Sequence, residues 1–101
     1  MNLLSLKRYQ EAIERLKKIE MTPYYLSMIG FSYFHLQQYQ EAINYLKQAL
    51  DQGKNNQWVY AMLGKCYQEI NAINQAIEYY RIAYELDPSQ EWIKEAMEYL
   101  Q

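Results

Sequence analysis

His35 and Cys66 are the only imidazole and the only thiol in this chain of 101 residues. Neither has a second ligand of its kind, so no His/Cys metal cluster is available and no internal disulfide can form. Cys66 stands beside Tyr67 in an apolar stretch and reads as a buried, inert thiol. Glu11 with Glu14, and Glu95 with Glu98, are carboxylate pairs at helical spacing. Pairs of this kind on a charged outer face are ordinarily solvated and carry no chemistry. No glycine-rich phosphate loop and no serine-nucleophile motif occurs. The formal charge of −2 lacks the basic stripe that a nucleic-acid surface shows. These residues predict a chain that is not an enzyme and needs no cofactor or metal.

What must position any functional residue is a set of helices, and the sequence repeats them. Gly30 and Gly64 are 34 residues apart, as are Ala42 and Ala76, Ala49 and Ala83, Tyr33 and Tyr67, and Tyr45 and Tyr79. A partial third copy precedes them, since "LKRYQEAIERLKK" (6–18) aligns with "LQQYQEAINYLKQ" (36–48). A fixed period of this length marks a stacked helical repeat. Half of the residues are hydrophobic, enough for a continuous core, and only 3 glycines and 2 prolines interrupt the chain.

Within each period the apolar residues recur at i, i+3, i+4 and i+7, the stripe of an amphipathic helix. Leu26, Ile29, Gly30, Tyr33 and Leu36 form one stripe, and Tyr60, Leu63, Gly64, Tyr67 and Ile70 its copy. Gln37-Gln38 and Asn71-Ala72 connect the helices of each pair, short links that suit antiparallel neighbours. Thr22-Pro23 predicts a helix start, with threonine as cap and proline at the first helical place. Asp87-Pro88 marks a stop, and Ser89 is a candidate cap for a last helix over 91–100. The predicted organisation is an incomplete N-terminal unit over 1–22, complete pairs over 23–56 and 57–90, and a capping helix over 91–101. In the first unit, 7–20 reads as the second helix of a pair and Met1 to Leu6 as the end of its partner.

These residues resemble the tetratricopeptide repeat (TPR), a 34-residue helix-turn-helix family. The match covers Tyr60, Leu63, Gly64, Tyr67, Ala76, Tyr80, Ala83 and Pro88 in one copy. In the other it covers Leu26, Ile29, Gly30, Tyr33, Ala42, Leu46 and Ala49. Lys54 departs from the pattern where proline is usual, and Ile19 replaces the final alanine of the first unit. The resemblance implies an all-α, short right-handed solenoid of antiparallel helix pairs. It implies that Gly64 faces Ala76 and Gly30 faces Ala42, and that Ala49 and Ala83 meet the following repeat.

The resemblance further implies a concave groove. Its places fall on Tyr24, Ser27, Met28, Phe31, Phe34 and His35, then on Trp58, Ala61, Met62, Lys65, Gln68 and Glu69, with Trp92 and Tyr99 from the last helix. Aromatic and methionine surfaces give large, adaptable apolar contact. The family's carboxylate clamp for chaperone tails needs lysines, asparagines and an arginine. Its places here hold Ser27, Phe31, Met62, Trp92 and Ala96, so that clamp is not expected. Pentatricopeptide RNA readers share the helix-pair design but would carry basic surface. The implied partner is a protein or peptide with apolar anchors, bound by an adaptor or scaffold.

Two other expectations remain open at this level. One is a structural, self-associating segment, in which Ala12, Ile13 and Leu16 are partly uncovered and the N-terminal end forms a homo-oligomer. The other is a small secretion-type chaperone. No stretch reads as membrane-spanning or as a secretory leader, and cytoplasmic location is the expectation.

Overall fold

Thr22 and Pro23 begin a helix in the way their chemistry predicts. The Thr22 side chain accepts a hydrogen bond from the Tyr25 N–H at 3.4 Å, and Pro23 stands at the first helical position where its missing N–H costs nothing. The structure, a computed structural model, describes residues 3–17, 22–53 and 56–101, with the side chains of 3–5 and 16–17 outside that description. The described residues form six helices: α1 (Leu3–Lys17), α2 (Pro23–His35), α3 (Tyr39–Asp51), α4 (Gln57–Glu69), α5 (Ile73–Leu86) and α6 (Glu91–Leu100). The fold is an all-α helical repeat.

Two compact units divide the chain, Met1–Lys54 with α1 to α3 and Asn55–Gln101 with α4 to α6. In the first, α2 packs on α3 and α1 packs on α2; in the second, α4 packs on α5 and α6 packs on α5. The pairs are antiparallel. Phe34 meets Tyr39 near the turn, while Gly30 lies against Leu46 two turns further along α3. Tyr33 stacks on Tyr45 at 5.5 Å, and one period later Tyr67 stacks on Tyr79 at 5.3 Å. Leu26, Ile29, Ile43 and Leu46 are buried in the first unit, Leu63, Ala76, Tyr80, Ala83 and Ile93 in the second. Burying one such large apolar side chain contributes about 1.5–3 kcal/mol.

Both intrahelical-pair turns use the same backbone device. Gln37 (φ 63°) and Asn71 (φ 64°) are left-handed. The Gln38 and Ala72 N–H groups donate back to Tyr33 and Tyr67 carbonyls at 3.0 and 2.8 Å. The Gln37 and Asn71 N–H groups donate to the carbonyls of Phe34 and Gln68, each at 3.0 Å. These two bonds satisfy carbonyls that the helix end leaves free. At the end of α3 the left-handed residue is Gly53.

Four expectations need correction. Residues 3–6 are not part of a separate partner helix, because α1 runs unbroken from Leu3 to Lys17. Ile13 is covered, at 6 % exposed. Ile70 ends beyond α4 and is 42 % exposed, so it leaves the core stripe. Ser89 does not cap α6: its hydroxyl donates to Asp87 at 2.6 Å, and Gln90 precedes α6 with no side-chain cap. That bond and the Ser89 N–H hold the Asp87 carboxyl below its ordinary range. Ile19 and Lys54 lie outside the described residues, as do the side chains of Leu3, Leu4 and Leu16.

Candidate functional site

The groove places on α2 gather around an aromatic cluster that α1 completes. His35 stacks on Tyr9 of α1 with ring centroids 4.8 Å apart and planes 6° from parallel. Phe31 meets the same imidazole edge-on at 4.3 Å and Tyr9 at 6.4 Å. Phe34 bridges His35 and Tyr39, at 5.4 and 5.6 Å. Edge-to-face and offset rings contribute beyond their buried area, about 0.5–1.5 kcal/mol per pair. Beside this cluster opens a surface pocket of about 360 Å³, lined by Arg8, Tyr9, Ala12, Met28, Phe31 and Ser32. Its walls are largely apolar, with the exposed Arg8 as its charged lining residue.

Sequence reasoning placed Met28 and Phe31 together and left Ala12 partly uncovered, as it is, but did not join Ala12 to their pocket and did not find Arg8 or Tyr9. The missing signal was tertiary, the side-by-side packing of α1 and α2. The Ser32 hydroxyl is already committed to the Met28 carbonyl at 3.0 Å, and Ser27, 2 % exposed, donates to the Tyr24 carbonyl at 2.7 Å. Such back-bonding satisfies a buried hydroxyl inside a helix. Ser27 therefore offers little surface to a ligand, while Tyr24 is 55 % exposed and meets Tyr25 edge-on at 5.4 Å.

In the second unit the expected groove residues part into buried and exposed sets. Ala61 and Met62 are 3 % and 5 % exposed, and Ala61 belongs to the core cluster with Ala76, Tyr80, Ala83 and Ile93. Trp58 is half-buried. Gln68 accepts the Tyr80 hydroxyl at 2.8 Å, so its amide serves a core tyrosine. Lys65 places its ammonium 4.8 Å over the Trp92 ring, and Tyr80 meets Trp92 edge-on at 6.2 Å. Trp92 is thus packed on one side and 40 % exposed overall. Glu69 is exposed at the end of α4, and Tyr99 is 82 % exposed on α6.

The two glycines mark close helix approach, though not opposite the expected alanine in both pairs. A Cβ on Gly64 would stand 2.8 Å from the Tyr80 ring, one turn beyond Ala76. A Cβ on Gly30 would stand 2.8 Å from Leu46 and 3.2 Å from the Ala42 carbonyl oxygen. Leu46 and Tyr80 occupy the same repeat position. Ala42, Ala49, Ala76 and Ala83 are fully buried, and Pro88 lies in the exposed turn before α6.

Burial, with Glu69 adding, pushes the Cys66 thiol up to about 12. The Tyr80 phenol is raised as well, by burial first and then by Cys66 and Glu69. Both groups are therefore neutral at physiological pH. Among the described residues no group of three His, Cys, Asp or Glu side chains could hold a metal ion. No helix of the described residues is long and apolar enough to cross a membrane.

No curated protein sequence matches the chain significantly. Two crystal structures of MamA are similar to it, each with a TM-score of 0.85 at 23 % identity over 91 % of this chain. The chain spans about half the length of those proteins, 56 % and 52 %. At that identity the likeness concerns the fold. The sequence profile described as "Tetratricopeptide repeat" matches residues 33–92. With the 34-residue period, the paired helices and the buried alanines in place, the chain belongs to the tetratricopeptide-repeat family.

Proposed function

We propose that this protein is an interaction module, an adaptor or scaffold that holds a segment of a partner protein by an apolar anchor. Repeats of this family generally mediate protein–protein interaction, and the fold class is typically non-catalytic. The observation that carries the specific reading is the pocket of about 360 Å³ between α1 and α2, where Met28, Phe31 and Tyr9 present apolar and aromatic wall. That volume suits one large side chain, within the ordinary range of ligand pockets. Burying a leucine- or phenylalanine-sized anchor contributes about 1.5–3 kcal/mol, so flanking contacts must supply the rest of a useful affinity. Phe34 and His35 continue the aromatic surface along α2. The exposed part of Trp92, with Lys65, is a separate surface of the second unit.

Selection of displayed random peptides on the intact chain tests this. Enriched sequences should share an aliphatic or aromatic anchor, and Met28→Asp or Phe31→Ala should weaken them while helical circular dichroism stays unchanged. Peptides that bind both variants as well as the parent chain would place the interaction elsewhere.

A further inference from the structure

α1 has a second face with a chemistry of its own. Gln10 and Glu14 follow Arg8 and Ala12 by two residues each, about 200° around the helix, so they stand on its other side. With Ile13 they form one wall of a surface pocket of about 370 Å³, completed by Tyr33 and Leu36 of α2 and by Gln38 at the corner before α3. All of these residues belong to the first unit. Ile13 is buried and Tyr33 and Leu36 half-buried, which gives an apolar floor, with Tyr33 stacked on Tyr45. Gln10, Glu14 and Gln38 are exposed and form a polar rim.

The repeat leaves this face to solvent wherever the helix stands in the series. Gln10 corresponds to Gln40 in α3 and Asn74 in α5, and Glu14 corresponds to Asn44 and Glu78. All of them are exposed, although α3 and α5 each have a helix before and a helix after them. No helix of a neighbouring repeat belongs at this place. The lining is also one-sided in charge. Glu14 supplies a carboxylate and Gln10 and Gln38 supply amide oxygens, while among the described residues no lysine or arginine lines the pocket. Glu14 forms no ion pair among the described residues.

We infer that this pocket receives an arginine side chain of a partner protein, its guanidinium on Glu14 and its stem along Leu36 and Tyr33. Arginine suits each part of the lining. Its methylene stem covers apolar surface while the charged head stays at the rim. Its planar fork of N–H donors serves a carboxylate together with neighbouring amide oxygens, and it packs against an aromatic ring. Lysine brings the charge without the plane. An acidic side chain would face Glu14 with like charge, which repels. This surface is separate from the Met28–Phe31 pocket, whose charged lining residue is Arg8, and it stands whether or not that pocket binds.

The test selects displayed peptides that have one fixed arginine amid random flanks, on the Met28→Asp chain, so that the first pocket does not compete. The strongest is labelled with fluorescein and titrated against the intact parent chain. We expect saturable binding that weakens about tenfold or more when the peptide's arginine becomes glutamine, and by less when it becomes lysine. Glu14→Gln, at an exposed position, should weaken it about tenfold. Gln38→Glu should tighten it, a gain that loss of folding cannot mimic. Binding indifferent to Glu14→Gln or to the peptide's arginine, or no enrichment of any peptide, overturns the site. A mass that rises with concentration in the parent chain but not in Glu14→Gln puts an arginine of a second copy there and overturns the assignment to a partner.

Discussion

Gly64 shows how much one residue conveys and where it stops. Its spacing from Gly30 and the period it shares with the alanines make a close helix approach legible in the sequence. Which residue it approaches is not legible, because Ala76 and Tyr80 lie on one face of α5 a turn apart. The structure chooses the Tyr80 ring, itself 1 % exposed and held by Gln68. Alanine at position 64 gains about 1 kcal/mol of helix propensity. It also drives a Cβ into a ring that has no room to retreat, and overpacking of this kind costs about 1–3 kcal/mol. Gly64→Ala should therefore be neutral to destabilising, and Gly64→Leu clearly destabilising, in urea midpoint measurements; a stabilised Gly64→Ala would contradict the packing. Cys66 makes a pH prediction. Its thiol ionises near 9.0 when exposed and near 12 when folded, so above pH 9 the unfolded chain releases a proton that the folded chain keeps. Stability should be full below that pH and fall from 9 towards 12, with the raised Tyr80 phenol adding to the fall. Cys66→Ala should flatten the decline; an unchanged slope would mean the thiol is not buried as described.

The helices themselves were read closely from the sequence. Pro23 starts α2, Leu86-Asp87 ends α5, and the α6 range of 91–100 agrees with the charged segment after Pro88. The splitting of α1 was an error of pattern. Leu3, Leu4 and Leu6 suggest a separate apolar turn, yet no glycine or proline stands between Leu3 and Lys17 to break a helix. The left-handed corners were missed at Gln37, where glutamine gives no signal, although Asn71 one period later is a residue that tolerates this conformation. A left-handed non-glycine residue costs roughly 1–2 kcal/mol, offset in part by the entropy that glycine adds to the unfolded chain. Gln37→Gly should then raise stability by about 0.5–1 kcal/mol, and Asn71→Gly by less. A lower denaturation midpoint for Gln37→Gly would contradict the corner.

At the scale of the molecule, the repeat was legible because each period states the same packing solution in the same residue types. The site was legible only in part. Positions one period apart give the direction in which Ser27 and Ala61, or Met28 and Met62, leave their helices, but burial depends on which neighbour covers them. Ser27, Ala61 and Met62 are covered, whereas Met28 and Phe31 line open space. Tyr9 was invisible as a site residue, and Ala12 was legible only as an uncovered position, because both join the pocket through the packing of α1 on α2. The central claim is that this α1–α2 face is where a partner binds. The most direct measurement is a methyl- and aromatic-labelled NMR titration of the intact chain with the strongest display-selected peptide. The account predicts shifts concentrated on Ala12, Met28, Phe31 and Tyr9, with small changes at Ala76 and Ala83. Shifts centred on α3, or on Trp92 and Tyr99 with the α1–α2 signals unmoved, would contradict it.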